Sequence, residues 1–488
     1  MRRTTIQKLL IGLIFMAVSA TGYAAYHHAG EYDSGNFLAV YPDKAGTKLD
    51  SCALCHTGGI DIDTSTGKKT VQGSCQWCHN PNVYGYEGKG EITKTLNSYG
   101  AAYRAKGSNQ EAVRLIANED SDQDGYTNAA EIAALRFPGD KSDDPAKVPA
   151  PYRVFTRDQI ECLPQHTQFQ LLNATKSDDS YAEFSGVAME DLLKAAKMLP
   201  EATSIQVYAP DGFSNDFSLY PDPKLYHVIG DYPEAFYHYA AQADMADNPT
   251  TGWCNYSELD DNLKDGDPIE NEDGLKLLLA MYRDGVKLVA GVLGKDNKLN
   301  GEGPYRVVPP QKVPGPPDQR STAANQNVIW PYKADGDHNA GFSPRSATIV
   351  KVLPLPEGTT DIDLFEAGWK YIDESKIVVY GAIDPIPTIL TKMDALLATL
   401  KSSSSKSFKN PIYQKILHIE VSLAKQLAKY GKHKAALKLL SNSVIEHADG
   451  CSTAEGQPDK DDWVTDCNLQ KKVYWDLHEL IVLFGIIV

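Results

Sequence analysis

The most specific chemistry in the chain lies between positions 52 and 79. Cys52-Ala53-Leu54-Cys55-His56 and Cys75-Gln76-Trp77-Cys78-His79 repeat the pattern Cys-X-X-Cys-His in a 488-residue chain that has only 8 cysteines. In such a pattern the two thiols add across the vinyl groups of one haem, and the adjoining histidine comes to lie beneath the iron as an axial ligand. Two other readings use the same residues. Four thiolates around a structural zinc would leave two histidines over, and a redox dithiol needs a strand before a helix N-terminus, which neither copy has. The doublet favours two covalent c-type haems, held by Cys52, Cys55, Cys75 and Cys78 with His56 and His79 on the irons.

Each iron also wants a sixth ligand, normally His or Met. From Ala25 to Ala150 there is no methionine, and the only histidines are His27, His28, His56 and His79. His27 and His28 are therefore the expected distal ligands. Adjacent residues of an extended segment point to opposite sides, so one short strand could serve two haems. The alternative is that one of the pair binds while the other iron stays open or takes a ligand from later in the chain. Filled sixth positions leave no room for a substrate and imply electron transfer. The surrounding sequence is rich in Gly, Asp, Thr and Asn, so the haems are expected to form the core of this segment.

A second constellation follows. In Asn118-Glu119-Asp120-Ser121-Asp122-Gln123-Asp124-Gly125-Tyr126-Thr127-Asn128, oxygen donors fall on the positions of a twelve-residue EF-hand loop. Asp120, Asp122 and Asp124 take positions 1, 3 and 5, Gly125 the sharp turn, the Tyr126 carbonyl position 7, Asn128 position 9 and Glu131 position 12. Residues 112–117 read as the entering helix and 129–135 as the exiting one. A single loop of this kind suits a structural Ca²⁺ rather than a sensor, with Asp140, Asp143 and Asp144 as further candidate oxygens.

These sites must be delivered and positioned by the rest of the chain. Residues 1–24 have the basic start, short apolar run and small-residue end of a secretory signal peptide, and no later apolar run is long enough to span a bilayer. The expectation is export across the inner membrane to the periplasm or outer surface. A net charge of −16 disfavours nucleic acid as a partner. The length exceeds one core, and five segments are expected: 1–24 signal peptide, 25–105 dihaem module, 106–148 calcium segment, 149–385 strand-rich middle domain and 386–488 helical domain. In the middle, Ser204–Tyr220 reads as strand–turn–strand about Asp211-Gly212. Residues 274–285, GLKLLLAMYRDG, have helical spacing.

Within that middle region, Gly186-Val187, Asp191-Leu192-Leu193, Val207 to Gly212 and Gly303-Pro304-Tyr305-Arg306-Val307-Val308 resemble the sulfite-oxidase-type molybdopterin-binding domain, over some 150 residues. The resemblance implies a cysteine shortly before Gly186 as molybdenum ligand, but Asn173, Ala174, Thr175 and Lys176 stand there. A scaffold without the metal is the main expectation, with Cys162 and Cys254 paired as a disulfide. Cys162 as a displaced molybdenum ligand is the alternative.

After Ser402 to Ser405, Asn410 can cap a helix with Pro411 at its first position, and Ile412, Ile416, Ile419, Leu423 and Leu427 recur at helical steps before Gly431. About four helices are expected, with a disulfide between Cys451 and Cys467 closing the loop that joins two of them. The C-terminal part resembles helical appendages of secreted bacterial proteins. The fold class is thus multidomain: a haem-organised cytochrome c module with an EF-hand-like loop, an α+β strand-rich middle and a C-terminal helical bundle. The whole resembles a secreted bacterial dihaem c-type cytochrome that passes electrons to redox partner proteins or an extracellular acceptor. Two alternatives are a haem-containing molybdopterin oxidoreductase and a binding protein in which haem is a folding element.

Overall fold

In the computed structural model the described residues are 32–56, 59–62, 69–72, 95–174, 180–210, 213–223, 225–233, 237–238, 268–269, 271–293, 299–313, 338–363, 368–453 and 456–488. The signal segment, His27, His28, Cys75, Cys78, His79, Thr175, Lys176, Asp211, Gly212 and Cys254 lie outside them. The chain mixes helix and strand, with several sheets. Among the described residues no helix is long and apolar enough to cross a membrane.

The first part is built on short helices, Asp33–Val40, Ser98–Ala105, Gln110–Leu115 and Asn128–Ala133. Asn97, Asn109 and Thr127 start the last three by accepting a backbone N–H with their side chains, the usual use of such residues at an N-cap. Tyr99 and Tyr103, one turn apart, pack with Phe37, Leu49, Leu54, Val113, Ile116, Ile132 and Phe137 in one core. This corrects the expectation that haem alone would organise the segment: the helices after the first motif supply a protein core. It also joins residues on both sides of the expected boundary at 105.

The middle contains two five-stranded sheets. One is antiparallel, with Gln165–Leu172, Ser180–Ala188 and Leu278–Arg283 in sequence across it. The other runs Tyr152–Thr156, Lys376–Gly381, Ile349–Leu353, Ser204–Tyr208, Ser214–Ser218, with one parallel pair, Ile349–Leu353 on Lys376–Gly381. Side chains alternate across each strand. Leu279, Met281, Val350 and Val379 enter a core shared by both sheets, whereas Leu278 and Ala280 face one outer cluster and Ile349, Val378 and Tyr380 another. The segment expected to be helical from its spacing, 274–285, instead holds a central strand, Leu278–Arg283. A short apolar run buried on both faces has no period that separates strand from helix.

The C-terminal part packs helices Ile386–Ser402, Pro411–Lys429, His433–Leu439 and Cys467–Gly485 around Met393, Leu396, Leu417, Val421, Leu440, Val473 and Leu477. Asn410 caps the second by accepting from the Ile412 N–H, and Gly431 ends it at φ +70°.

One junction ties the first part to the middle. Lys48, 1% exposed, donates through Nζ to Asp143 at 2.9 Å and lies over the Phe137 ring. Its backbone N–H donates to Asp363 at 2.6 Å. Asp143 also accepts from the Phe137 N–H at 2.9 Å and from the Thr360 hydroxyl. Beside it, Val148–Pro149 pairs in parallel with Thr359–Thr360.

Candidate functional site

Cys52–Leu54 is one turn of 3₁₀ helix, which the His56 N–H extends by donating to the Cys52 carbonyl at 2.9 Å. This compact turn sets Cys52, Cys55 and His56 on one wall of a cleft of about 320 Å³. Phe37, Leu49 and Leu54 supply apolar lining, and Asp33, Asp50 and Arg104 bring charge to it.

Two residues that the sequence reading passed over hold the turn in place. Asn97 donates through Nδ2 to the carbonyls of Ala53 and Leu54, at 3.2 and 3.0 Å, and its backbone N–H donates to the Cys55 carbonyl at 2.9 Å. Its Oδ1 meanwhile caps the following helix at the Gly100 N–H. A Cβ on Gly100 would lie 2.1 Å from the Cys55 carbonyl oxygen, so glycine is needed for the helix to approach the motif this closely. An Asn-x-x-Gly pair next to a helix start was the available signal.

The orientation of His56 is set by Thr95. The ring Nδ1 and the Thr95 hydroxyl are 2.5 Å apart, with Thr95 fully buried. With Nδ1–H as donor, the tautomer leaves the lone pair on Nε2. Donation of the second ring nitrogen to a fixed acceptor is how a metal-binding histidine is usually aimed. His56 also makes a single antiparallel bridge to Leu96, which brings the hydroxyl into register. The donor set of two thiols, an aimed imidazole and an apolar cleft fits a covalent haem.

Beyond His56, Gly59–Ile62 pairs antiparallel with Lys69–Gln72. Gly59, three residues after His56, pairs with Gln72, three before Cys75.

In the acidic loop 120–131 most of the expected oxygen donors converge, with one exception. Asp120 Oδ1 accepts from the N–H groups of Gln123 and Asp124, at 2.8 and 3.2 Å, and Oδ2 accepts from Gly125 at 3.0 Å. Gly125 turns the chain at φ +103°. Oxygens of Asp120, Asp122 and Asp124 all lie within 4.8 Å of one another. Both carboxylate oxygens of Asp122, one of Asp124 and both of the fully buried Glu131 are buried with no hydrogen-bond partner. Burial, then the charges of Asp122, Asp124 and Asp120, push the Glu131 carboxyl up to about 9. Burial and Asp124 push Asp122 up to about 6. Buried, unpartnered, converging carboxylates are unfavourable unless a cation joins them, and this oxygen set fits Ca²⁺.

The exception is Asn128. Its Oδ1 accepts from the Ser121 N–H at 3.2 Å, and its Nδ2 donates to the Ile116 carbonyl at 2.7 Å and to the Ser121 hydroxyl. Asn128 brackets the loop from behind, and its amide oxygen is occupied there. Tyr126 is partly exposed, with its N–H on Asp124. Asp143 belongs to the buried Lys48 junction, away from the expected role of extra ligand.

The middle region does not offer a molybdenum thiolate at the place the resemblance implies. Asn173 is buried, and its N–H donates to Asn339 Oδ1. Cys162 is an exposed free thiol after the helix Arg157–Glu161, and its expected partner Cys254 lies outside the described residues. A Cβ on Gly186 would lie 2.1 Å from the Leu279 carbonyl oxygen, so this glycine serves strand packing. In Gly301-Glu302-Gly303-Pro304-Tyr305-Arg306, Glu302 accepts from Arg306 at 2.7 Å and Arg283 at 3.3 Å, and Arg306 Nε donates to Ser343. These polar groups face one another, with Arg306 and Ser343 buried and Glu302 and Arg283 partly exposed. Cys451 and Cys467 are joined as a disulfide.

Compared with protein families, with curated proteins and with solved structures, the chain matches none, so the functional reading rests on the geometry of its own sites.

Proposed function

We propose that the protein is an exported dihaem c-type cytochrome that transfers electrons in the periplasm or at the outer surface, with a structural Ca²⁺ behind the haem region. The observation that carries this reading is the convergence of Cys52, Cys55 and His56 on one cleft wall, with the His56 ring held by Thr95. Bound there, the haems would supply reversible one-electron chemistry at iron. Cys52 and Cys55 would add their S–H bonds across the two vinyl groups. His56 would present Nε2 while Thr95 holds the Nδ1 proton. Phe37, Leu49 and Leu54 would keep water from the inner wall. Cys75, Cys78 and His79 would hold the second haem in the same way, with His27 and His28 as distal ligands. Redox proteins or an extracellular acceptor would exchange electrons with it. Asp120, Asp122, Asp124, Glu131 and the Tyr126 carbonyl would hold the Ca²⁺.

Mass spectrometry of the denatured chain tests the reading. The expected result is the added mass of two haems that acid-acetone does not extract, with two irons per chain and low-spin EPR signals from both. Colour released by acid-acetone, or zinc in place of iron, would overturn it. The molybdopterin alternative requires about one molybdenum per chain in the same metal analysis.

A further inference from the structure

The helix Pro411–Lys429 carries two apolar faces, and only one is used by the fold. Leu417, Val421, Ala424 and Ala428 are buried against the neighbouring helices. On the opposite side Ile412, Ile419, Leu423 and Tyr430 are 60%, 63%, 47% and 81% exposed. Their spacing of seven, four and seven residues keeps them within an arc of about 40° at 100° per residue, along roughly 27 Å of helix. An aligned stripe of this kind differs from the scattered surface hydrophobics of an ordinary protein.

The charge around the stripe reverses that of the molecule. Between residues 405 and 440 there are eight lysines and one carboxylate, Glu420, in a chain of net charge −16. Lys425 pairs with Asp394, whereas the exposed Lys415, Lys429, Lys432, Lys434 and Lys438 make no ion pair among the described residues. Lys415 and Lys429 flank one edge of the stripe, and the others follow its C-terminal end beside Tyr430.

We propose that this face is a peripheral docking surface for an anionic lipid bilayer. An exposed helix face with an aliphatic stripe, a terminal tyrosine and flanking lysines suits the headgroup–acyl boundary, where apolar area and lysine charge act together. The excess negative charge elsewhere on the molecule would be repelled by the same surface and would orient the protein on it. Two copies meeting through this face would bring their lysines together, which disfavours self-association. The inference does not depend on the haem reading.

Sedimentation of the full chain with vesicles tests it, using phosphatidylcholine alone and phosphatidylcholine mixed equally with phosphatidylglycerol. Binding to the mixed vesicles, weakened by salt, and little binding to phosphatidylcholine alone are expected. Ile419→Ser with Leu423→Ser should weaken it by at least about tenfold, and so should Lys415→Glu with Lys429→Glu. All four positions face solvent, and unchanged circular dichroism and melting are the fold control. No binding of the wild-type chain to the mixed vesicles would overturn the proposal, as would binding that neither variant weakens. A dimer dissociated by the apolar variant, without vesicle binding, would make the face a self-association surface. Binding to soluble polyglutamate with none to vesicles would make it an acidic-polypeptide site. Either result rejects the lipid assignment.

Discussion

At the scale of single residues, Glu131 is the group whose protonation couples most directly to metal binding. Without a cation its carboxyl is pushed up to about 9 from an ordinary 4.5, by burial first and then by Asp122, Asp124 and Asp120. Its contribution to the cation-free fold is therefore complete below about pH 4.5 and is lost as the pH rises toward 9. Ca²⁺ must displace that proton, so affinity should climb over the same window. Denaturation in chelator should show falling stability from pH 4.5 to 9, with a flatter profile in saturating Ca²⁺. Glu131→Gln should reverse sign between the two conditions. It should raise stability at pH 8 in chelator and lower Ca²⁺ affinity by about 10- to 100-fold, read by calorimetry. Thr95→Val makes a second test. Loss of the acceptor for His56 Nδ1–H should reduce electron donation from the imidazole and shift the haem potential positively, while both thioether bonds remain. A potentiometric titration that leaves the potential unchanged would remove Thr95 from this role. The acidic cluster was legible in sequence because its carboxylates lie within a dozen residues of one another. Thr95 was not, because it meets His56 across 39 positions. Asn128 has the right type and place for a ligand, but its hydrogen bonds to Ile116 and Ser121 use its amide from the other side.

At the scale of elements, legibility followed how locally each element is specified. Asn410-Pro411 starts its helix and Gly431 ends it because caps act through adjacent backbone. Leu278–Arg283 was misread because its partners on either side, Ser180–Ala188 and Arg306–Val308, are distant in sequence, and burial on both faces erases its alternation. The disulfide Cys451–Cys467 fastens the short helix Gly450–Thr453 to the start of Cys467–Gly485. Gln470 strengthens the same corner, accepting from the Cys451 N–H and donating through Nε2 to the Val464 carbonyl at 2.8 Å. Because the bond closes a separation of 16 residues, its loss should cost about 3 kcal/mol by loop entropy. Hydrogen exchange in the first turns of Cys467–Gly485 should report this after reduction or in Cys451→Ser with Cys467→Ser. Unchanged protection there would show that packing around Gln470 and Val473 suffices by itself.

At the scale of the whole molecule, the candidate electron-transfer region is attached to the sheets through a buried charge pair that spacing along the chain does not reveal. Lys48 and Asp143 are separated by 95 positions, and both are almost wholly buried. The acidic loop 120–131 leads directly into this junction. The Arg136 N–H donates to the Glu131 carbonyl at 2.7 Å, Arg136 Nε lies 3.7 Å from Asp143, and Asp143 holds the Phe137 N–H. Removing Lys48 leaves the buried Asp143 with only the longer Arg136 contact, and breaking a buried pair costs up to about 3–5 kcal/mol. Lys48→Met should therefore destabilise the chain by about that amount, and proteolysis should increase in 137–148 before the sheets unfold. Asp143→Asn on the Lys48→Met background removes the carboxylate charge, keeps its amide oxygen for the Phe137 N–H and turns its Nδ2 toward the Thr360 hydroxyl, at the cost of the Arg136 contact, so the double variant should recover part of the loss. A double-mutant cycle in denaturant measures this coupling. If the two losses add, Lys48 and Asp143 do not hold the junction as a pair, and attachment must lie instead in the Val148–Pro149 and Thr359–Thr360 strands. If the double variant recovers, the pair couples the two parts, and the acidic loop adjoins that coupling: the Glu131 carbonyl holds the Arg136 N–H, and Phe137 beside it holds the carboxylate that receives Lys48.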